Sequence, residues 1–127
     1  MSYPADFKYT KEHEWIKIEG NSGTIGITDH AQQALGDIVF VELPKVGAAI
    51  SAGKSFGTVE SVKAVSDLYA PVSGTVTAVN GELSTAPEKV NSEPHQAWMV
   101  KITLANPGET SSLLSASDYE KFVAEES

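Results

Sequence analysis

Few residues in this chain have the types and spacing that support chemistry. None of its 127 residues is a cysteine, which excludes protein disulfides and thiolate nucleophiles. Any sulfur redox chemistry must therefore arrive on a cofactor. His13, His30 and His95 stand far apart in the chain, and no His-Glu or Cys-His spacing marks a metal cage, so no metal site is expected. No glycine-rich loop offers backbone amides to a phosphate, and Ser61 and Ser66 have no histidine close in sequence to activate them. Lys63 is what remains. It is the only basic residue between Lys54 and Lys89 and sits in the run from Glu60 to Asp67. A lysine amine is almost wholly protonated at neutral pH and does not acylate itself. Its modification needs an enzyme that removes the proton and offers an activated acyl group. On its own residues Lys63 is either a solvated surface charge or a side chain presented to another macromolecule.

The elements around it are short and mostly extended. Val59, Val62, Ala64 and Val65 favour strand, and Gly57 and Ala70-Pro71 punctuate the run, so Lys63 is expected at the tip of a hairpin. Upstream, Trp15–Glu19 and Thr24–Ile27 flank the turn residues Gly20-Asn21-Ser22-Gly23 and read as a second hairpin. Thr28 or Asp29 can cap a short helix through Leu35, with Gly36 as its left-handed stop. Ile38–Val41 is apolar on both faces and reads as a buried central strand ended by Leu43-Pro44. Val46–Ile50 is a strand piece. Thr75–Val79 is a strand with Val76 and Ala78 on one face, and residues 84–96 read as a loop with one helical turn. Trp98, Val100, Ile102 and Leu104 alternate with Met99, Lys101 and Thr103, as in a half-buried strand. Ser117-Asp118-Tyr119-Glu120 reads as a capping box in a C-terminal helix over 116–125, with Tyr119, Phe122 and Val123 as its apolar stripe. Residues 1–8 read as a loose lead-in. The spacing alone indicates one domain over 1–127, mainly β, a small sandwich or barrel with one short internal helix and a C-terminal helix.

Seventeen acidic residues against nine basic ones give a net charge of −8. That balance argues against nucleic acid, whose phosphates need a dense basic surface, and disfavours anionic membranes. No apolar run reaches the length of a membrane-spanning helix. The first residues carry no signal or transit-peptide pattern, so a cytoplasmic location is the expectation, with the mitochondrial matrix as the alternative for a processed chain.

Glu60-Ser61-Val62-Lys63-Ala64-Val65-Ser66-Asp67 resembles the lipoyl-attachment tip of glycine cleavage system H proteins. Biotinyl domains place methionines beside the lysine and lipoyl domains of 2-oxoacid dehydrogenases have Asp-Lys-Ala, whereas Val-Lys-Ala stands here. Two further stretches are similar to the same family: Lys11-Glu12-His13-Glu14-Trp15, and Gly26-Ile27-Thr28-Asp29-His30-Ala31-Gln32 continuing through Gly36-Asp37-Ile38-Val39-Phe40-Val41-Glu42-Leu43-Pro44. The resemblance runs from Phe7 to Phe122. It implies the flattened barrel of the lipoyl/biotinyl carriers, a barrel-sandwich hybrid. It also implies lipoate in amide linkage to Lys63, with Glu60, Ser61, Val62, Ala64 and Val65 forming the attachment hairpin, and an arm of about 14 Å from extended bond lengths.

By the same resemblance the protein is a carrier and not an enzyme, and a monomer is expected because a shuttle must leave each partner. A lipoyl ligase or transferase loads it. A pyridoxal-phosphate glycine decarboxylase (P protein) delivers an aminomethyl group to the arm, and a tetrahydrofolate-dependent aminomethyltransferase (T protein) removes it. Dihydrolipoyl dehydrogenase (L protein) then reoxidises the dithiol. Glu14 and Asp67 fall at family positions that shield the aminomethyl group, Glu12 stands near them at a position that varies in the family, and Ile27, Ala31 and Leu35 are candidates to line the arm's groove. Alternatives are an H-like relay of lipoyl groups to other acceptors and an unmodified binding module. The chain departs from the family pattern at residues 91–98: His95 replaces a tyrosine, Ala97 a glycine, and the loop is one residue shorter.

Overall fold

The computed structural model describes residues 3–126. Every strand pairing in it is antiparallel. One sheet has six strands, in the order β1 (Phe7–Tyr9), β2 (Glu14–Glu19), β3 (Ser22–Ile27), β9 (Val100–Leu104), β8 (Gly74–Val79) and β5 (Ala49–Ile50). The other has three: β4 (Ile38–Glu42), β6 (Ser55–Ser61) and β7 (Val65–Tyr69). Helix α1 (Asp29–Leu35) links β3 to β4, α2 (Glu82–Thr85) and α3 (Lys89–Ser92) fill the link from β8 to β9, and α4 (Ala116–Glu126) ends the chain. The whole is a mainly β barrel-sandwich hybrid. None of the described helices is long and apolar enough to cross a membrane.

The alternating patterns close a single apolar core from both sheets. Ile16, Ile25, Val59, Leu68, Val72, Val76, Met99 and Ile102 are fully buried in it. A second, aromatic cluster joins Phe7, Tyr9 and Trp15 to Ala116 and Tyr119 of α4. There the Tyr9 and Tyr119 rings stack at 4.8 Å and those of Phe7 and Trp15 at 4.6 Å.

Several expectations are corrected. Residues 7 and 8 are not part of a loose lead-in. Phe7 and Tyr9 bury against α4, Phe7 pairs with Lys17, and Tyr9 exchanges backbone hydrogen bonds with Leu114. β4 is an edge strand and not a central one, with Val39 49% and Phe40 51% exposed. Apolarity on both faces does not distinguish an edge from a centre, and a bulge between Ile38 and Phe40 turns the strand further outward. Residues 84–96 hold parts of two one-turn helices, each anchored by one buried side chain, Leu83 and Val90. A single anchor leaves no period to read. Met99 is buried and β9 begins after it. The α4 cap is Ser115, whose Oγ accepts from the Asp118 amide at 3.2 Å, two residues before the Ser117 expected.

Gly57, on the strand that carries the lysine tip, has no room for a side chain. A Cβ there would strike the backbone carbonyl oxygen of Glu42 on the neighbouring strand. Gly57→Ala is expected to cost about 1–3 kcal/mol, the usual range for forcing a methyl into packed surroundings, read as a lowered thermal midpoint.

Candidate functional site

β6 and β7 meet at Val62-Lys63-Ala64, and Ser61 builds the bend. Its amide donates to the Ala64 carbonyl at 2.8 Å, and its hydroxyl accepts from the amides of Lys63 at 3.3 Å and Ala64 at 3.1 Å. The Val62 amide donates to the Asp37 carbonyl at 3.0 Å, tying the tip to the segment after α1. Ser61 is buried, and Glu60, Val62, Lys63, Ala64 and Val65 are exposed. Cross-strand register places Phe40, Glu60 and Val65 in one row, so apolar surface opens beside the tip.

The Lys63 side chain begins its course over Gly36, its Cε 3.5 Å from where a Cβ on that glycine would stand. Gly36 has φ +82° and caps α1 by donating to the Gln32 carbonyl. A glycine meets both demands. At the other end of α1, Thr28 Oγ1 accepts from the Ala31 amide at 3.2 Å, and the Thr28 amide donates to the His13 carbonyl at 3.0 Å. α1 therefore leads from the lysine tip to the turn at residues 12–14. β7 leads to the same place, since the Tyr69 amide donates to Glu14 Oε2 at 3.2 Å. The run of β7 is about 13 Å at the usual rise per residue, and that of α1 about 10 Å.

Glu14 is 2% exposed. Thr10 donates to its Oε1 at 2.8 Å, and Tyr69 to the other oxygen. Burial pushes its carboxyl up to about 8, against the opposing pull of the Thr10 and Tyr69 donors. Glu14 and Glu12 line an open pocket of about 330 Å³ with Tyr9, Thr10, Tyr69 and Leu113. Asp67 is exposed on β7, two residues before Tyr69, and does not line that pocket. Of the residues expected along the arm, Ala31 and Leu35 are half-buried, whereas Ile27, at 3% exposed, is closed into the core. The structure thus brings Glu12 and Glu14 together, places Asp67 on the strand that leads to them, and leaves Ile27 beneath the surface.

Spacing gave no sign of the residues that hold this frame. Asn91 accepts from the Ile38 amide at 2.8 Å and donates to Gln32 and to the Gly36 carbonyl, both at 2.9 Å, fixing the segment beneath the lysine. In the loop that departs from the family, His95 Nε2 accepts from the Asp29 amide at 3.2 Å, and Trp15 donates to the Pro94 carbonyl at 3.0 Å. An accepting Nε2 requires the neutral ring with its proton on Nδ1, and burial lowers the His95 pKa accordingly. Among the described residues no group of three or more His, Cys, Asp or Glu is placed to hold a metal ion.

A braced β-hairpin that presents one lysine at its tip, on a small β barrel-sandwich, is the form of a prosthetic-arm carrier domain. The glycine cleavage H-protein family model matches residues 7–126. The glycine cleavage system H protein of Koribacter versatilis is 74% identical over 126 residues, covering 99% of this chain and 98% of that one. The corresponding protein of Acidobacterium capsulatum is 67% identical over the same shares. A crystal structure of a glycine cleavage system H protein from Mycobacterium marinum superposes with a TM-score of 0.86 at 40% identity, covering 98% of each chain. The chain belongs to the glycine cleavage H-protein family, the lipoyl carriers of the glycine cleavage system.

Proposed function

We propose that Lys63 carries the lipoyl group of this carrier and that the arm, when loaded, folds back from the tip toward Glu14. The observation that supports this most is the match between an arm of about 14 Å and the course of about 13 Å along β7. The residues present fit the group. The amine is exposed on a braced bend, the Lys63 side chain begins over Gly36 at the end of α1, and α1, with half-buried Ala31 and Leu35, leads to the same turn. In the bound state a lipoyl dithiolane supplies a disulfide that accepts a carbon group with its electron pair, one sulfur binding the carbon and the other leaving as a thiol.

The chain's own part is presentation and shelter. Ser61 and the Val62 amide hold the bend, so a lipoyl ligase or transferase meets a fixed shape. The P, T and L proteins then reach the end of the arm while the domain stays outside. Glu14 holds a proton while the arm is elsewhere and releases it to water through the open pocket when an ammonium group takes its place. Asp67 and Glu12 add negative charge near that position. We place the protein in the cytoplasm, in keeping with its bacterial relatives, as a monomer that must leave each partner and that catalyses nothing itself.

The test is glycine–bicarbonate exchange with the glycine decarboxylase and lipoylated protein. Stimulation supports the assignment, and none by fully lipoylated protein contradicts it. In the same preparation, Glu14→Ala Asp67→Ala is expected to lose its loaded state about tenfold faster than wild type, the order of one lost charge-assisted contact. An unchanged decay would remove the sheltering role.

A further inference from the structure

We propose that Tyr119 is a positioning residue whose hydroxyl bolts the N-terminal end of α1 to the turn that carries Glu14, so that α4 fixes where Glu14 stands relative to α1. The Tyr119 side chain is fully buried, and its hydroxyl lies 2.8 Å from His13 Nδ1 and 2.8 Å from Thr28 Oγ1. His13 is the residue before Glu14. Thr28 is the cap of α1, its Oγ1 already accepting from the Ala31 amide. One phenol oxygen on the last helix therefore joins the far end of the α1 route to the residue before Glu14.

Packing alone does not call for that oxygen. The ring is held by stacking on Tyr9 at 4.8 Å and by the edge of Tyr3 at 5.0 Å, and phenylalanine would fill the same space. The turn beneath does call for a restraint. His13 has φ +69°, a left-handed conformation that a side chain disfavours and that persists only where surrounding contacts over-determine it. The bridge also suits either tautomer of the histidine. The hydroxyl can donate to Nδ1 while accepting from Thr28, or accept from Nδ1–H while donating to Thr28.

The inference deepens the reading of Glu14 as the shelter of a loaded arm and rests on it only for that last readout. The experiment is Tyr119→Phe in the full chain, with the Glu14 carboxyl followed by carbon-13 NMR through a pH titration. Loss of the bolt is expected to let water reach the turn and lower the Glu14 midpoint by about one pH unit, while the thermal midpoint moves little. Thr28→Val is expected to lower the Glu14 midpoint likewise, with a lowered thermal midpoint because it also removes the α1 cap, and Thr28→Ser, which keeps the oxygen, to titrate as wild type. In lipoylated protein, Tyr119→Phe is expected to shorten the lifetime of the loaded state several-fold. An unchanged Glu14 midpoint in both Tyr119→Phe and Thr28→Val overturns the proposal, as does a Thr28→Ser protein that behaves like Thr28→Val. A wild-type protein that cannot be loaded at all would instead count against the carrier reading of this site, and the titration would still decide the role of Tyr119.

Discussion

Lys63→Arg protein will fold as wild type and will give no glycine–bicarbonate exchange above that of the decarboxylase alone. The bend is built from Ser61 and backbone amides, and the exposed Lys63 side chain takes no part in those bonds. A surface exchange of this kind usually moves stability by no more than about 0.5 kcal/mol. Arginine keeps the charge and most of the reach, but its guanidinium does not form the amide that anchors the arm. Loss should therefore be complete, and no excess of protein or decarboxylase should restore it. Residual exchange that rises with Lys63→Arg concentration would mean that another group carries the arm.

The second large effect lies at Glu14 and is read in stability. With its carboxyl raised from 4.5 to about 8 in the fold, the group favours folding while protonated. Its contribution is fully present below pH 4.5 and is lost as pH rises toward 8, because the unfolded chain ionises there and the folded one does not. The loss is on the order of 3 kcal/mol by pH 7. Glu14→Gln removes this dependence. The amide oxygen can accept from Tyr69 and its nitrogen can donate to Thr10, so both existing partners are kept. The variant should match wild type near pH 4.5 and exceed it increasingly up to pH 8 in urea unfolding. A difference that stays flat across that window would show that the carboxyl is not held protonated. Glu14→Gln should also retain a loaded arm poorly, since an amide offers an ammonium group no counter-charge. A residue whose replacement stabilises the resting fold and harms the loaded state is one kept for function.

What the sequence disclosed and what it hid divide along a physical line. Local chemistry was readable. Thr28 and Gly36 cap α1 as their types suggest, and the hairpin bends at Lys63. Hidden features depend on partners remote in the chain. Glu14 is buried against an amide 55 residues away, Tyr119 bridges to residues 106 and 91 positions distant, and His95 meets Asp29 across 66. No periodic pattern encodes such meetings. The apolar run of β4 reads as interior because hydropathy ranks burial and not position within a sheet, yet Val39 and Phe40 stand open beside the tip. In α2 and α3 the signal was one apolar residue per helix, too little for any period.

The most direct measurement is intact mass followed by peptide mapping, after incubating the protein with lipoate, ATP and a lipoate ligase. The account predicts one lipoyl increment, located on Lys63 and on none of the other lysines. An unchanged mass with a ligase active on a control carrier, or an increment on a different lysine, would contradict it.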